Sequence, residues 1–145
     1  MIAYLDSSVV LRAVFGEPGA FAAWSTLQYA ITSHLTRIEC LRRMDRRRVR
    51  EAATEAELAV VRGSILELLS GTAIVPMTAA ILDRAANPFP TSLGSLDAIH
   101  LATAIAWRDA TADVPVFLTH DGELATAAVA CGFEVRGASP PWAPG

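Results

Sequence analysis

Ile2-Ala3-Tyr4-Leu5-Asp6-Ser7-Ser8 sets an apolar run directly against an aspartate and two hydroxyl residues. A short apolar run bounded by turn formers reads as a fully buried strand. Val9-Val10-Leu11-Arg12-Ala13-Val14-Phe15 then carries a helical apolar pattern, with Ser7 or Ser8 available as its cap. Asp6 therefore falls at the carboxyl end of the first strand, the edge at which open α/β sheets bind ligands.

Outward from that stretch the chain alternates. Gly16-Glu17-Pro18-Gly19 is a break, residues 20–27 suggest a short second helix, and Tyr29-Ala30-Ile31-Thr32 a second strand. Thr36-Arg37-Ile38-Glu39 has the capping-box pattern and opens a helix to about Arg50. Thr54-Glu55-Ala56-Glu57 repeats the signature before a helix that stops at Gly71. Ala73-Ile74-Val75 is the third strand, and Thr78 caps a helix over Ile81, Leu82 and Ala85. After the breaker-rich loop 87–94, Ser95 is expected to cap a helix through Trp107. Val114–Thr119 reads as the fourth strand, Glu123–Cys131 as a helix stopped by Gly132, and Phe133-Glu134-Val135 as the last strand. The spacing predicts one domain over 1–145, with 136–145 as an irregular tail. Strands alternating with helices imply a parallel sheet covered on both faces.

Composition narrows the function. With 145 residues, 52% hydrophobic and 19% charged, the chain suits one core. It has no run of about 18 apolar residues, so no membrane span is expected. The N-terminus has no basic region and Asp6 interrupts its apolar run, so no signal peptide is expected. Cys40 and Cys131, the only cysteines, fall in apolar helical patterns and read as free buried thiols in a reducing cytoplasm. All 12 basic residues are arginines. Without a lysine, P-loop phosphate binding and Schiff-base chemistry are excluded.

Four acids stand at matching places. Asp6 and Asp121 each follow a strand, and Glu39 and Asp97 each fall in the first turn of an apolar helix. Carboxylates gathered on one sheet edge raise one another's pKa unless a cation sits among them. An all-oxygen set with room for water selects Mg²⁺ or Mn²⁺, which suits phosphodiester hydrolysis. Each acid also has a structural reading: Glu39 in a capping box, Asp97 on a helix dipole, Asp121 in a turn or cap. Asp6, flanked by Leu5 and Val9, is the hardest to explain that way. His100, one helical turn from Asp97, and His120, beside Asp121, could each support the acids from behind, against the ordinary reading of a packed or surface histidine. Seven arginines crowd residues 37–50, ordinarily a solvated helix face. Arg43, Arg46, Arg47 and Arg50 can share one face and form a patch for an RNA backbone.

Tyr4-Leu5-Asp6-Ser7-Ser8, Thr36-x-x-Glu39, Leu96-Asp97-Ala98-Ile99-His100-Leu101-Ala102-Thr103-Ala104 and Leu118-Thr119-His120-Asp121 together resemble the ordered motifs of PIN domains. The nearest likeness is to VapC-type toxins of bacterial type II toxin–antitoxin modules, over essentially the whole chain. The resemblance implies a three-layer α/β/α fold with a five-stranded parallel sheet in the order 3-2-1-4-5. It implies a Mg²⁺-dependent endoribonuclease, cytoplasmic, commonly a homodimer, and neutralised by a cognate VapB-type antitoxin. Carried over residue by residue, Asp6, Glu39, Asp97 and Asp121 are its site acids and Ser8 the hydroxyl that supports them. Asp6, Asp97 and Asp121 are then the metal ligands, and Glu39 positions or deprotonates the attacking water. The antitoxin's hydrophobic anchor is expected near Phe15, Trp24 and Leu41. A haloacid-dehalogenase-like phosphatase and a receiver domain both fail for want of a lysine. The remaining alternative is a catalytically inactive PIN-like module that only binds RNA or a partner, and the intact acid set argues against it.

Overall fold

The computed structural model describes residues 1–22 and 24–138. Five parallel strands form its sheet: β1 (Ile2–Leu5), β2 (Tyr29–Ser33), β3 (Ala73–Val75), β4 (Val116–Leu118) and β5 (Val135–Arg136). Their order is β3-β2-β1-β4-β5, as the resemblance implied. Six α-helices accompany them among the described residues: α1 (Ser7–Val14), α2 (His34–Glu51), α3 (Glu55–Ser70), α4 (Ala79–Ala86), α5 (Ser95–Thr111) and α6 (Gly122–Ala130). None is long and apolar enough to cross a membrane.

β1 is central, and both its faces are buried, which is why its sequence is continuously apolar rather than alternating. Tyr4 points to one side with Ile31 and Phe117, into a core closed by Leu101 and Ala104 of α5 and Leu124, Ala127 and Ala128 of α6. Ala3 and Leu5 point to the other with Leu118, under Val9 of α1 and the partly buried Phe21, Trp24 and Leu27. Val10 of α1 joins Cys40 of α2 and Ile65 and Leu69 of α3 in a third cluster that fastens those helices together.

The register aligns the carboxyl ends of the central strands. Leu5 is opposite Thr32 on one side and Leu118 on the other. The Asp6 amide then donates to the Leu118 carbonyl at 3.2 Å. Chain direction away from the sheet reverses between β1 and β4, so residues just past both strands meet at the topological switch point.

Several local expectations are corrected. Asp6 itself, not Ser7 or Ser8, caps α1, its carboxylate accepting from the Val9 amide. Thr36–Glu39 is no capping box: Ser33 caps α2, and Thr36 lies inside the helix with its hydroxyl 2.7 Å from that of Thr32. Glu39 thus sits in the second turn rather than the first. Gly94, not Ser95, is the cap residue of α5 and makes no side-chain bond. Residues 20–27 contain only a 3₁₀ turn at Trp24–Thr26 rather than a helix, with Ala23 outside the described residues. Gly19, at φ +75°, and Pro18 keep this segment from continuing α1. Cys131 is only partly buried, at the end of α6, while Cys40 is fully buried as expected. Observed β4 and β5 are shorter or shifted against the expected ranges, and Arg136 belongs to β5 rather than to an irregular tail. The tail from 139 onward lies outside the described residues. The caps at Thr54 and Thr78 are as the sequence suggested, the former a complete capping box with Glu57.

Gly137 closes the sheet edge beside β4. Its φ is +100°, and a Cβ there would stand 2.5 Å from the Thr119 carbonyl oxygen. Gly137→Ala is expected to cost about 1–3 kcal/mol through backbone strain and displacement of the Thr119 segment. Urea denaturation measures it, and a wild-type midpoint would refute the constraint.

Candidate active site

Asp6 is 3% exposed, and its carboxylate is the most heavily bonded group at the sheet edge. Oδ1 accepts from the Ser8 hydroxyl at 2.6 Å and the Val9 amide at 3.1 Å, while Oδ2 accepts from the Thr119 hydroxyl at 2.6 Å. A buried carboxylate is tolerated only when its lone pairs are satisfied in this way. Both hydroxyls are used twice: Ser8 accepts from the His120 amide at 2.9 Å and Thr119 from the Asp121 amide at 2.9 Å. The loop after β4 is thus tied to the loop after β1 through Asp6.

Asp121 caps α6, its Oδ1 accepting from the Leu124 amide at 2.9 Å. The structural reading of that residue is therefore correct, yet its side chain also reaches the other acids electrostatically. Asp97, in the first turn of α5, has its pKa pushed up to about 6. Partial burial is the main cause, followed by the charge of Asp121, with smaller contributions from Asp6 and Glu39; only His100 opposes them. Carboxylates from β1, α2, α5 and the β4 end thus share one field. They do not form a closed cage: among the described residues no three His, Cys, Asp or Glu side chains converge tightly enough to hold an ion alone. An all-oxygen set of this kind fits a cation that keeps most of its water, as Mg²⁺ does when bound through one or two carboxylates. The excess negative charge at Asp97 is the observation that favours such a cation.

Glu39 is held by His100, a bond across 61 residues that the sequence did not reveal. His100 Nε2 lies 2.7 Å from its Oε2, and His100 Nδ1 lies 2.9 Å from the Tyr4 hydroxyl. His100 is therefore a packed rather than a surface histidine; its ring is buried, and its hydrogen bonds join α5, α2 and β1. His120 instead faces the Gly137 carbonyl at 3.1 Å. Thr119, quoted within a motif but given no role, is the omission. A hydroxyl directly after a strand and two residues before an acid was the available signal.

Beside the acids runs a groove of about 420 Å³. Glu39, Ser7 and Ser8 border it, Leu11, Leu35, Ile38 and Leu96 give it apolar patches, and Arg12, Arg42, Arg43 and Arg46 give it charge. The arginine face expected on α2 is divided. Arg43 and Arg46 line the groove, whereas Arg47 pairs with Glu51 at 2.7 Å and stacks 4.3 Å over the Phe15 ring. Arg50 is exposed and does not line the groove. Arg12 and Arg42 are groove arginines that the helical spacing did not single out. Arg42 also pairs with Asp45 at 3.2 Å, and Arg12 lies 3.8 Å from Glu17.

A PIN domain family model matches residues 3–130. The chain belongs to the PIN domain family. It is 30% identical to Ribonuclease VapC47 of Mycobacterium tuberculosis (strain CDC 1551 / Oshkosh) over 137 residues, covering 90% of this chain and 92% of that one. Its PIN fold resembles a toxin–antitoxin complex from Klebsiella pneumoniae, with TM-score 0.62 and 18% identity, over 98% of this chain and 99% of that one. VapBC2 from Rickettsia felis, solved bound to a promoter DNA fragment, gives TM-score 0.67 at 12% identity over 94% and 98%. FitAcB from Neisseria gonorrhoeae gives TM-score 0.67 at 19% identity over 93% and 96%. These structural likenesses carry the fold alone.

The raised pKa of Asp97 has a definite sign in stability. A carboxyl with a higher pKa when folded binds protons more tightly in the native state, so stability falls as pH rises from the ordinary 3.8 through about 6. Asp97→Asn has no such proton to lose. Its stability relative to wild type is expected to grow across that window and level off above it, read by urea denaturation at stepped pH. A difference independent of pH would refute the crowding of Asp97.

Proposed function

We propose that this chain is a VapC-type toxin, a divalent-metal-dependent endoribonuclease acting in the cytoplasm and restrained by a VapB-type antitoxin. One observation carries the reading: four carboxylates from separate elements share a field at the switch point, beside a groove walled by arginines. The likeness to Ribonuclease VapC47 supports it. Asp6, Asp97 and Asp121 would hold Mg²⁺, for which Mn²⁺ can substitute. When bound, such an ion supplies charge neutralisation at the scissile phosphate and acidifies water for attack.

The chain's own residues do the rest. Ser8 and Thr119 fix the rotamer of Asp6, so its carboxylate presents a constant charge at the end of β1. Glu39, at the groove border, orients the attacking water and accepts its proton. Arg43 and Arg46 hold phosphates of the bound strand, contacts that position the substrate without reading its sequence. We take the whole chain as a single domain. The antitoxin would cover the same groove, matching its acids with a cation, as a carboxylate buried beside a partner requires, and would seat its hydrophobic anchor around Phe15, Trp24 and Leu41. That partner follows from the VapC-type reading, and a homodimer is the expected assembly.

The direct test is RNA cleavage in millimolar Mg²⁺ against cleavage in EDTA. Wild type is expected to cleave only with the metal, and Asp6→Asn and Asp97→Asn to lose cleavage while retaining native circular dichroism. Activity unchanged in EDTA, or wild-type rates in either variant, would sink the proposal.

The divided arginine face gives a second test. Arg43→Ala with Arg46→Ala is expected to flatten the salt dependence of RNA binding by about 0.7 in slope per lost single-strand phosphate contact. Arg47→Ala, whose guanidinium is already engaged by Glu51 and Phe15, is expected to leave the slope unchanged. Equal flattening by Arg47→Ala would show that the whole helix face meets RNA.

A further inference from the structure

We propose that His100 is the positioning residue that aims Glu39 at the acid cluster, with Tyr4 completing a buried three-residue clamp. This role rests on the ribonuclease reading above. The three side chains come from α5, α2 and β1, so the contact exists only in the assembled fold. Tyr4 is fully buried and the His100 side chain is 2% exposed, against 20% for Glu39. The clamp is thus rigid at its inner end and open at its outer end, where the carboxylate meets the groove.

Hydrogen-bond inventory sets its direction. An ionised carboxylate only accepts, so the Nε2 that stands 2.7 Å from Glu39 carries the proton. Nδ1 stands 2.9 Å from the Tyr4 hydroxyl, accepting its O–H in a neutral ring and donating to its oxygen in an imidazolium, so Nε2 faces Glu39 as a donor in either state. The two rings also meet edge to face, 6.1 Å apart at 74°, a favourable aromatic arrangement.

The clamp matters because Glu39 has a competitor. Arg43 lies four residues further along α2, and a glutamate preceding a cation at that spacing forms a favourable helix-surface pair. Arg42 and Arg46 line the same groove. A glutamate left free would fold onto these guanidiniums, neutralising both a phosphate grip and a base. His100 holds it the other way, and among the described residues it is the only hydrogen-bond partner the Glu39 carboxylate has. Partners of this type orient an acid without touching substrate, and removing one typically costs about 10–100-fold in activity.

Two amides of similar size separate aim from packing. The side-chain nitrogen of Gln is as many bonds from Cβ as Nε2, and that of Asn as many as Nδ1. His100→Gln can therefore reach Glu39, while His100→Asn reaches only toward Tyr4. With saturating Mg²⁺, His100→Asn and His100→Leu are expected to lower kcat about 10–100-fold at little-changed KM, and His100→Gln to restore most of the loss. Nitrogen NMR of the wild-type chain is expected to show Nε2 protonated and hydrogen-bonded. Thermal melting of each variant identifies any that fail to fold, and the nitrogen reading then decides alone. His100→Gln falling as far as His100→Asn would overturn the role, as would full kcat in His100→Asn or an unprotonated Nε2 in wild type. A wild-type chain that cleaves no RNA yet shows the Nε2–H signature would overturn the ribonuclease reading while leaving the clamp standing.

Discussion

Everything at the sheet edge depends on burying one carboxylate. Asp6 follows the central strand with almost no solvent contact, and an unpaired charge there would cost several kcal/mol. Its answer is three donated hydrogen bonds, from the Ser8 hydroxyl, the Val9 amide and the Thr119 hydroxyl. The Val9 bond also starts α1, so one side chain ends a strand, caps a helix and anchors a loop reached only after 113 residues. β1 and β4 are neighbours in the sheet, but Asp6 is what locks their exits together. The candidate site and the fold thus share a single keystone.

That double duty explains how much could be read from the sequence. The succession of strands and helices was legible because each element is a local pattern, an apolar run or a 3.6-residue period, whereas the sheet order, and with it the switch point, came from the family resemblance. The capping box at Thr54 was legible for the same reason, since all its bonds are local. Thr36–Glu39 carried the identical signature and misled. Its threonine instead bonds Thr32 of the adjacent strand, and its glutamate bonds His100 at a separation of 61 residues. A motif's spacing is visible in sequence, whereas the partner that competes for the same side chain is not. Asp6 hid its capping role behind two serines that are equally good caps by residue type.

The arginines show the same limit in electrostatics. Helical geometry put Arg43, Arg46, Arg47 and Arg50 on one face, and the angular argument is sound. What it omits is that α1 and α3 pack against α2 and claim part of that face. Phe15, at the end of α1, takes up the Arg47 guanidinium, and Glu51 neutralises it. Arg12 arrives at the groove from another helix altogether. A charged wall assembled from two elements has no periodicity of its own to read.

The four acids differ in how many protein donors each receives. Asp6 has three, Asp121 has the Leu124 amide, and Glu39 has His100. Asp97 has no side-chain hydrogen bond among the described residues, and its own helix begins at Gly94, which offers no capping side chain. Burial first, and then the charge of Asp121, raises the pKa of this undonated carboxyl to about 6. A fold selected only for stability would have supplied a donor there, as it did for the other three. Leaving one carboxylate unsatisfied at the point where four meet keeps a charge deficit that a cation can fill, and perturbed acids of this kind mark functional sites more often than structural ones.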